Sequence, residues 1–308
     1  MKYPIGKEFF PYSYFYPPVP NAKVAGFIGS LMRPPKWLWK DPAVKVTAEM
    51  IRSVDDRELR VLILEPNGIE TPAPCLVYYH GGGFMFGGSW HHYKVAMQYA
   101  LESACKLVFV QYRLAPKYPH PIPAEDCYTT LIWTYENAQR LRIDKHKIAV
   151  GGDSAGGALA AAVCQMMRDR EREIPLFQLL IYPVTDRRMD TESHRKFTHT
   201  PMWNSRLSVM MWKGYLPDSN AADIAYASPM EATRFDCLPP AYVETAEFDC
   251  LHDEAIAYAH ALSEAGSQVE LNETRGTIHG FDAATKTAAS QMAIAARINY
   301  MKRKFYGE

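Results

Sequence analysis

The pentapeptide Gly152-Asp153-Ser154-Ala155-Gly156 constrains this chain more than any other stretch because of what flanks it. Lys147-Ile148-Ala149-Val150 precedes it with the apolar, β-branched character of a strand, and the alanine-rich Ala158-Leu159-Ala160-Ala161-Ala162-Val163 follows it as a helix former. A strand that turns straight into a helix presses two backbones together. Glycine at 152 and 156 tolerates that approach without a Cβ clash, and Ser154 is left on a strained turn with its hydroxyl pointing outward.

Upstream, His80-Gly81-Gly82-Gly83 follows the apolar run Cys75-Leu76-Val77-Tyr78-Tyr79, which has the pattern of a buried strand. Consecutive glycines let a backbone turn its amide hydrogens into a cavity, where they can hold the negative oxygen that develops when an ester carbonyl becomes tetrahedral. Gly82, Gly83 and Ala155 are the expected donors. A serine hydroxyl is a weak nucleophile at neutral pH, so this chemistry also needs a histidine as base and a carboxylate to orient it. Five histidines follow Ser154: His194, His199, His252, His260 and His279. The first two fall in a segment outside the strand–helix alternation, and His252 and His260 belong to the helix-like stretch from Asp253 to Glu264 or its edge. Only His279, in Gly276-Thr277-Ile278-His279-Gly280-Phe281, follows a last strand-like run in a loop, so it is the expected base. Asp249 lies at the carboxyl end of the strand-like Ala241–Ala246, where ligand-facing groups of parallel sheets collect, and is the expected acid. Glu247 is a weaker rival. Asp253 and Glu254 are read as first-turn acids that favour a helix dipole, and Asp153 sits too close to the serine to bend back to a distant imidazole.

Strand-like runs at Leu59–Leu64, Cys75–Tyr79, Leu107–Tyr112, Lys147–Gly151, Phe177–Tyr182, Ala241–Ala246 and Val269–Thr274 alternate with helix-like segments, which predicts an α/β fold with a mostly parallel central sheet flanked by helices. Pro123 opens a helix with Ala124, Cys127, Tyr128, Leu131, Tyr135 and Ala138 on one face, expected to pack on the sheet. A closing helix has Ala289, Met292, Ala293, Ala296 and Tyr300 as its apolar face, with Lys302, Arg303 and Lys304 in the last turn. Two regions break the alternation. Residues 1–45 carry Phe9, Phe10, Tyr12, Tyr14, Phe15, Tyr16, Trp37 and Trp39 among prolines, and residues 187–225 carry Met202, Trp203, Met210, Met211, Trp212 and Tyr215, with Leu207, Met211 and Tyr215 on one helix face. The expectation is one core, residues 46–308, capped by an N-terminal segment, 1–45, and an insertion at about 187–225 that pack together above the sheet as a lid favouring apolar acyl groups.

The 34 basic and 34 acidic residues cancel without long runs of one sign, which argues against nucleic acid or an anionic membrane as partner. No basic-then-apolar leader and no long apolar window is present, so neither export nor membrane spanning is expected. Cysteines at 75, 105, 127, 164, 237 and 250 show no paired spacing, which predicts reduced thiols and a cytoplasmic location. Asn272-Glu273-Thr274 is then a chance glycosylation triplet.

Taken with Tyr112-Arg113-Leu114-Ala115-Pro116 and with Glu247-Phe248-Asp249, Leu251 and Asp253-Glu254, the HGGG loop, Gly-Asp-Ser-Ala-Gly-Gly at 152–157, Asp249 and His279 stand in an order that resembles the hormone-sensitive-lipase-like branch of the α/β hydrolases over about residues 60–285. That resemblance implies the α/β-hydrolase fold with a helical cap, no cofactor and no metal, and hydrolysis of short acyl esters, acetyl to hexanoyl, through an acyl-enzyme. It implies a small-molecule ester as partner, for a monomer or homodimer. The same triad supports a deacetylase or amidase acting on acetylated sugars or arylamides, and the same fold supports a non-catalytic small-molecule receptor. Gln111 in place of the branch's usual Asp, Lys117 in place of Glu, and Cys250 in place of Pro depart from its pattern and bear on substrate preference.

Overall fold

The structure is a computed structural model that describes residues 3–15, 21–31, 41–218 and 223–307. Tyr16, Trp37, Trp39, the prolines at 17, 18, 20, 34 and 35, and residues 219–222 of the expected insertion lie outside the described residues.

One eight-stranded sheet organises the chain, in the order β1-β2-β4-β3-β5-β6-β7-β8. The strands are β1 (Val44–Arg52), β2 (Glu58–Pro66), β3 (Ala73–Tyr79), β4 (Lys106–Gln111), β5 (Ile143–Asp153), β6 (Gln178–Ile181), β7 (Ala241–Phe248) and β8 (Val269–Ile278). From β4 to β8 neighbouring strands run parallel, while β2 lies antiparallel to β4 and β1 antiparallel to β2. β3 is buried at every residue because helices cover both faces, and that is why its sequence is an unbroken apolar run. β1, not among the runs expected from sequence, alternates Lys45, Thr47 and Glu49 with apolar residues in the period of a strand, though it is exposed along most of its length.

Helices α1 (Ala22–Leu31), α2 (Trp90–Glu102), α3 (Ile122–Glu136), α4 (Ala138–Leu141), α5 (Ala155–Asp169), α6 (Glu192–Lys196), α7 (Ser205–Tyr215), α8 (His252–Glu264) and α9 (Ala288–Tyr306) complete the order. In α3, Ala124, Cys127, Tyr128 and Leu131 are buried as expected, but Ala138 belongs to α4: Asn137 turns its side-chain amide back to the Trp133 carbonyl, and the helix ends there. The buried face of α9 also differs from expectation. Met292 is 73% exposed, and the inward residues are Ala293, Ile294, Arg297, Ile298, Met301 and Phe305 with Tyr300. At the centre of that face lies a charged side chain, Arg297, so the inward stripe is not the purely apolar one expected. Arg303 and Lys304 do lie in the last turn, before Gly307 ends the helix in the left-handed region at φ 76°.

Tyr3 and Phe9 of the N-terminal segment are buried, Tyr3 against Phe197 and Phe248 and Phe9 against Phe281. Phe10, Tyr14 and Phe15 stay more than half exposed, so the aromatic content of this segment is only partly covered. α1 packs on α7, and Met202 donates its amide hydrogen to the Phe15 carbonyl at 2.8 Å, which joins the two segments outside the alternation.

Candidate active site

The turn between β5 and α5 holds Ser154 at φ 54° and ψ −120°, a conformation non-glycine residues rarely adopt. Its cause is visible at Gly156, where a Cβ would lie 1.9 Å from the Tyr79 carbonyl oxygen of the neighbouring strand. The amide of Ser154 donates to the Ile181 carbonyl at 2.8 Å, and its own carbonyl accepts from Val184 at 3.1 Å, so the strained residue is pinned to the end of β6.

The acid and the base meet through strand register. Phe248 of β7 pairs with Ile278 of β8 after a register shift, so the next residues, Asp249 and His279, leave the sheet side by side. Asp249 is fully buried; its Oδ2 lies 2.6 Å from His279 Nδ1, and its Oδ1 accepts from the Leu251 amide at 3.1 Å. His279 Nε2 lies 2.8 Å from Ser154 Oγ. The structure therefore brings together the three residues that sequence reasoning singled out, within hydrogen-bond distance in series.

Gly82 and Gly83 have φ values of 115° and 57°, and the Gly82 carbonyl accepts from Met85 and Phe86, which points the loop's carbonyl away from the serine. Among the described residues the amides of Gly82, Gly83 and Ala155 donate to no protein acceptor. Asp153 ties this loop to the serine turn. It is buried and accepts from the Tyr78 hydroxyl (2.7 Å), the Gly81 amide (3.0 Å) and His92 Nε2 (3.0 Å). Burial pushes its carboxyl up, but the His92 ring and the Tyr78 hydroxyl outweigh burial and hold it below the ordinary carboxylate range. The tautomer of His92 follows from Ser89, whose backbone amide can only donate and sits 2.9 Å from Nδ1. The proton is then on Nε2, aimed at Asp153. His91, His92 and Asp153 do bring three ligand-type atoms within 4.8 Å, but with Nε2 protonated the lone pair a metal needs there is spent.

His80 is a packing element. Burial lowers its pKa to about 4, its ring stacks on Tyr112 at 4.4 Å, and its carbonyl accepts from the Tyr112 hydroxyl. The segment after β4 does border the glycine loop, through the Ala115 amide and the Phe84 carbonyl at 2.9 Å. Of the departures noted there, Gln111 bonds with Arg60 and Tyr93, and Lys117 rests on the Tyr118 ring. Cys250 is buried with Sγ 3.6 Å from Ser208 Oγ, which accepts from the Trp203 indole at 3.0 Å; the residue after the acid thus packs beneath α7. The six cysteines are all free, five of them buried. Asn272 of the glycosylation triplet is half-buried on β8 and donates to Tyr242 and Glu244.

The rival acids bond elsewhere. Glu247 accepts from the Gly276 amide, and Asp253 from the Ser193 amide. Glu254 is not the dipole-facing charge expected of a first-turn acid: it is 1% exposed, accepts from the Thr185 and Asp186 amides, and burial pushes its carboxyl well above the ordinary range. Its neighbour His194, with Nδ1 3.4 Å away, is pushed down by burial, so burial disfavours the charged form of both groups.

Two aromatic walls had no sequence signal beyond their composition. Trp203 is 6.0 Å from the His279 ring and so close to the glycine loop that a Cβ on Gly83 would lie 2.7 Å from its six-membered ring. Tyr182, at φ 33°, sets its ring edge-on 4.8 Å from His279.

The family described as the α/β-hydrolase fold matches residues 76–283 of the chain. A carboxylesterase of Mycobacterium tuberculosis, NlhH, is 33% identical over 254 residues, covering 82% of this chain and 79% of its own. An arylesterase of Saccharolobus solfataricus is 31% identical over 250 residues, 81% of each chain. Among solved structures, a bacterial heroin esterase is similar with a TM-score of 0.84 and 33% identity, over 93% of this chain and 92% of that one.

Proposed function

The chain belongs to the α/β-hydrolase fold family and is a carboxylic ester hydrolase, and from that premise we propose that it is a serine carboxylesterase of short acyl esters, acetyl to hexanoyl, working through Ser154, His279 and Asp249. The observation that carries the reading is the unbroken bond path from Ser154 Oγ through His279 to Asp249, at 2.8 and 2.6 Å. His279 Nε2 takes the serine proton as Oγ attacks the ester carbonyl; the imidazolium that forms is stabilised by the buried Asp249 carboxylate. The unengaged amides of Gly82, Gly83 and Ala155 receive the oxyanion. The alcohol leaves with the proton from Nε2, and water repeats the sequence on the acyl-enzyme.

Short acyl chains fit a nucleophile whose glycine loop and base are walled by Trp203. Residues 1–45 and 187–225 act as the cap over the core, and the contacts of α1 with α7 and of Phe15 with Met202 support that division. Free thiols throughout suit a reducing compartment such as the cytoplasm, and no helix among the described residues is long and apolar enough to cross a membrane.

A chain-length series of p-nitrophenyl esters tests the reading, with Ser154→Ala beside the parent protein and a matched arylamide as comparison. Expected are highest kcat/KM from acetate to hexanoate, a large excess of ester over amide cleavage, and loss of at least about 10³-fold on Ser154→Ala. Undiminished turnover in Ser154→Ala, or a preference for laurate, overturns it.

A further inference from the structure

The loop that carries His279 rests on a buried group of charges that ester hydrolysis itself does not use. Arg297 of α9 is 1% exposed and donates to Asp282 Oδ2 at 2.6 Å, to the Tyr99 hydroxyl at 3.0 Å, and to both carboxylate oxygens of Glu244 in the middle of β7. Asp282 and Glu244 are buried as well. Asp282 stands just past His279 in the short turn Phe281–Ala283, and its second oxygen, Oδ1, accepts from the Tyr182 hydroxyl at 2.6 Å. Tyr182, whose backbone amide is bonded to the Glu244 carbonyl, sets its ring edge-on against His279 at 4.8 Å.

Stability alone does not account for such a group. Removing two carboxylates and a guanidinium from water costs about as much as their attraction returns, and apolar residues of the same volume would hold a core equally well. Its position does account for it. The bonds from Nδ1 to Asp249 and from Nε2 to Ser154 fix the imidazole along one line but leave the ring free to rock about that line. A ring set T-shaped against the imidazole stops the rocking only if it is itself immobile. Tyr182 is immobilised by Asp282, Asp282 by Arg297, and Arg297 by Glu244 within the sheet.

We propose that Tyr182, Asp282 and Arg297 are positioning residues that hold the imidazole plane of His279 in line with Ser154 Oγ, so that the C-terminal helix α9 serves the base through a relay of buried hydrogen bonds. This rests on His279 being the base. The three residues touch neither substrate nor the serine oxygen; they act through His279.

Tyr182→Phe removes one hydroxyl and keeps the ring. Asp282→Asn keeps the side-chain volume but replaces one of the two acceptor oxygens by a donor, so the bond accepted from the Tyr182 hydroxyl or the one from Arg297 is lost while both variants should fold; Arg297→Lys, which reaches only one acid at a time, serves as the conservative comparison. With p-nitrophenyl acetate, measured well below each melting temperature, Tyr182→Phe and Asp282→Asn should each lower kcat by about tenfold with KM changed less than about twofold, since misplacing a reacting group by a fraction of an ångström costs rate rather than affinity. The double variant should be no slower than Asp282→Asn alone, because both changes cut the same relay. Arg297→Lys should retain more activity than Arg297→Met. Wild-type kcat in both single variants, or losses that multiply in the double variant, overturns the relay while Ser154→Ala remains inactive. Wild-type turnover in Ser154→Ala would instead remove the base assignment on which the relay depends.

Discussion

Asp249→Asn isolates what the carboxylate does, because the structure dictates how an asparagine would sit there. Oδ1 of Asp249 accepts from the Leu251 backbone amide, a group that can only donate, so the asparagine oxygen takes that place and its amide nitrogen faces His279 Nδ1. Nδ1 must then accept, the proton moves to Nε2, and Nε2 meets Ser154 Oγ as a donor instead of a base. Reversing the asparagine would break the Leu251 bond and set a buried amide hydrogen against another, a cost of about 2 kcal/mol. Loss of the full negative charge about 4 Å from the developing imidazolium removes up to about 4 kcal/mol more at an effective dielectric near 20. Together these predict a fall in kcat of about 10³- to 10⁴-fold. KM should hold within about twofold, since Asp249 is fully buried and reaches no substrate. Steady-state hydrolysis of p-nitrophenyl acetate, with a thermal melt to establish that the variant is folded, measures both. A folded Asp249→Asn protein with kcat within tenfold of the parent would refute the tautomer argument.

Three further outcomes follow from the same geometry. A Cβ on Gly82, at φ 115°, would lie 2.6 Å from the Phe86 carbonyl oxygen, so Gly82→Ala should shift the loop and cost at least about 10²-fold in kcat, measured as above with KM as the control. Trp203→Leu opens the wall beside Gly83 and should raise kcat/KM for octanoate relative to acetate by about tenfold; an unchanged chain-length profile would assign specificity elsewhere. Glu254 has a folded-state pKa raised above its ordinary 4.5, so the stability it contributes is fully present below pH 4.5 and lost as pH rises, about 1.4 kcal/mol for each unit over which the folded protein keeps the proton. Glu254→Gln carries no such proton, so its melting temperature, followed over a pH series, should match the parent below pH 4.5 and exceed it as pH rises above that.

The parts legible in the sequence are those whose cause is local. Ser154 announces itself because its strained turn needs glycine at fixed positions on either side, and β3 because burial on both faces leaves no polar residue in it. Asp249 and His279 could be placed because each leaves the carboxyl end of a strand, although the register that sets Phe248 opposite Ile278 depends on two extra residues in β8 between Thr274 and Ile278, a pairing that only the neighbouring strand reveals. The partners of Asp153 were not legible: Tyr78 and His92 come from a different strand and helix, and nothing in their spacing marks them. The inward face of α9 was only partly legible for the same reason: Arg297 at its centre is held by Glu244 on β7 and Asp282 in the turn after His279, and an apolar stripe alone does not include it. β1, an edge strand with only Val44 and Ile51 buried, alternates polar and apolar residues and lacks the continuous apolar run by which the inner strands were read.

The central claim is that one serine oxygen attacks the ester. Reaction with a p-nitrophenyl phosphonate, followed by mass spectrometry of the intact protein and of its peptides, tests it most directly. A single phosphonyl group on Ser154, gained in step with the loss of esterase activity and absent from Ser154→Ala, is the result expected; a label on another residue, or hydrolysis that survives complete labelling of Ser154, would contradict it.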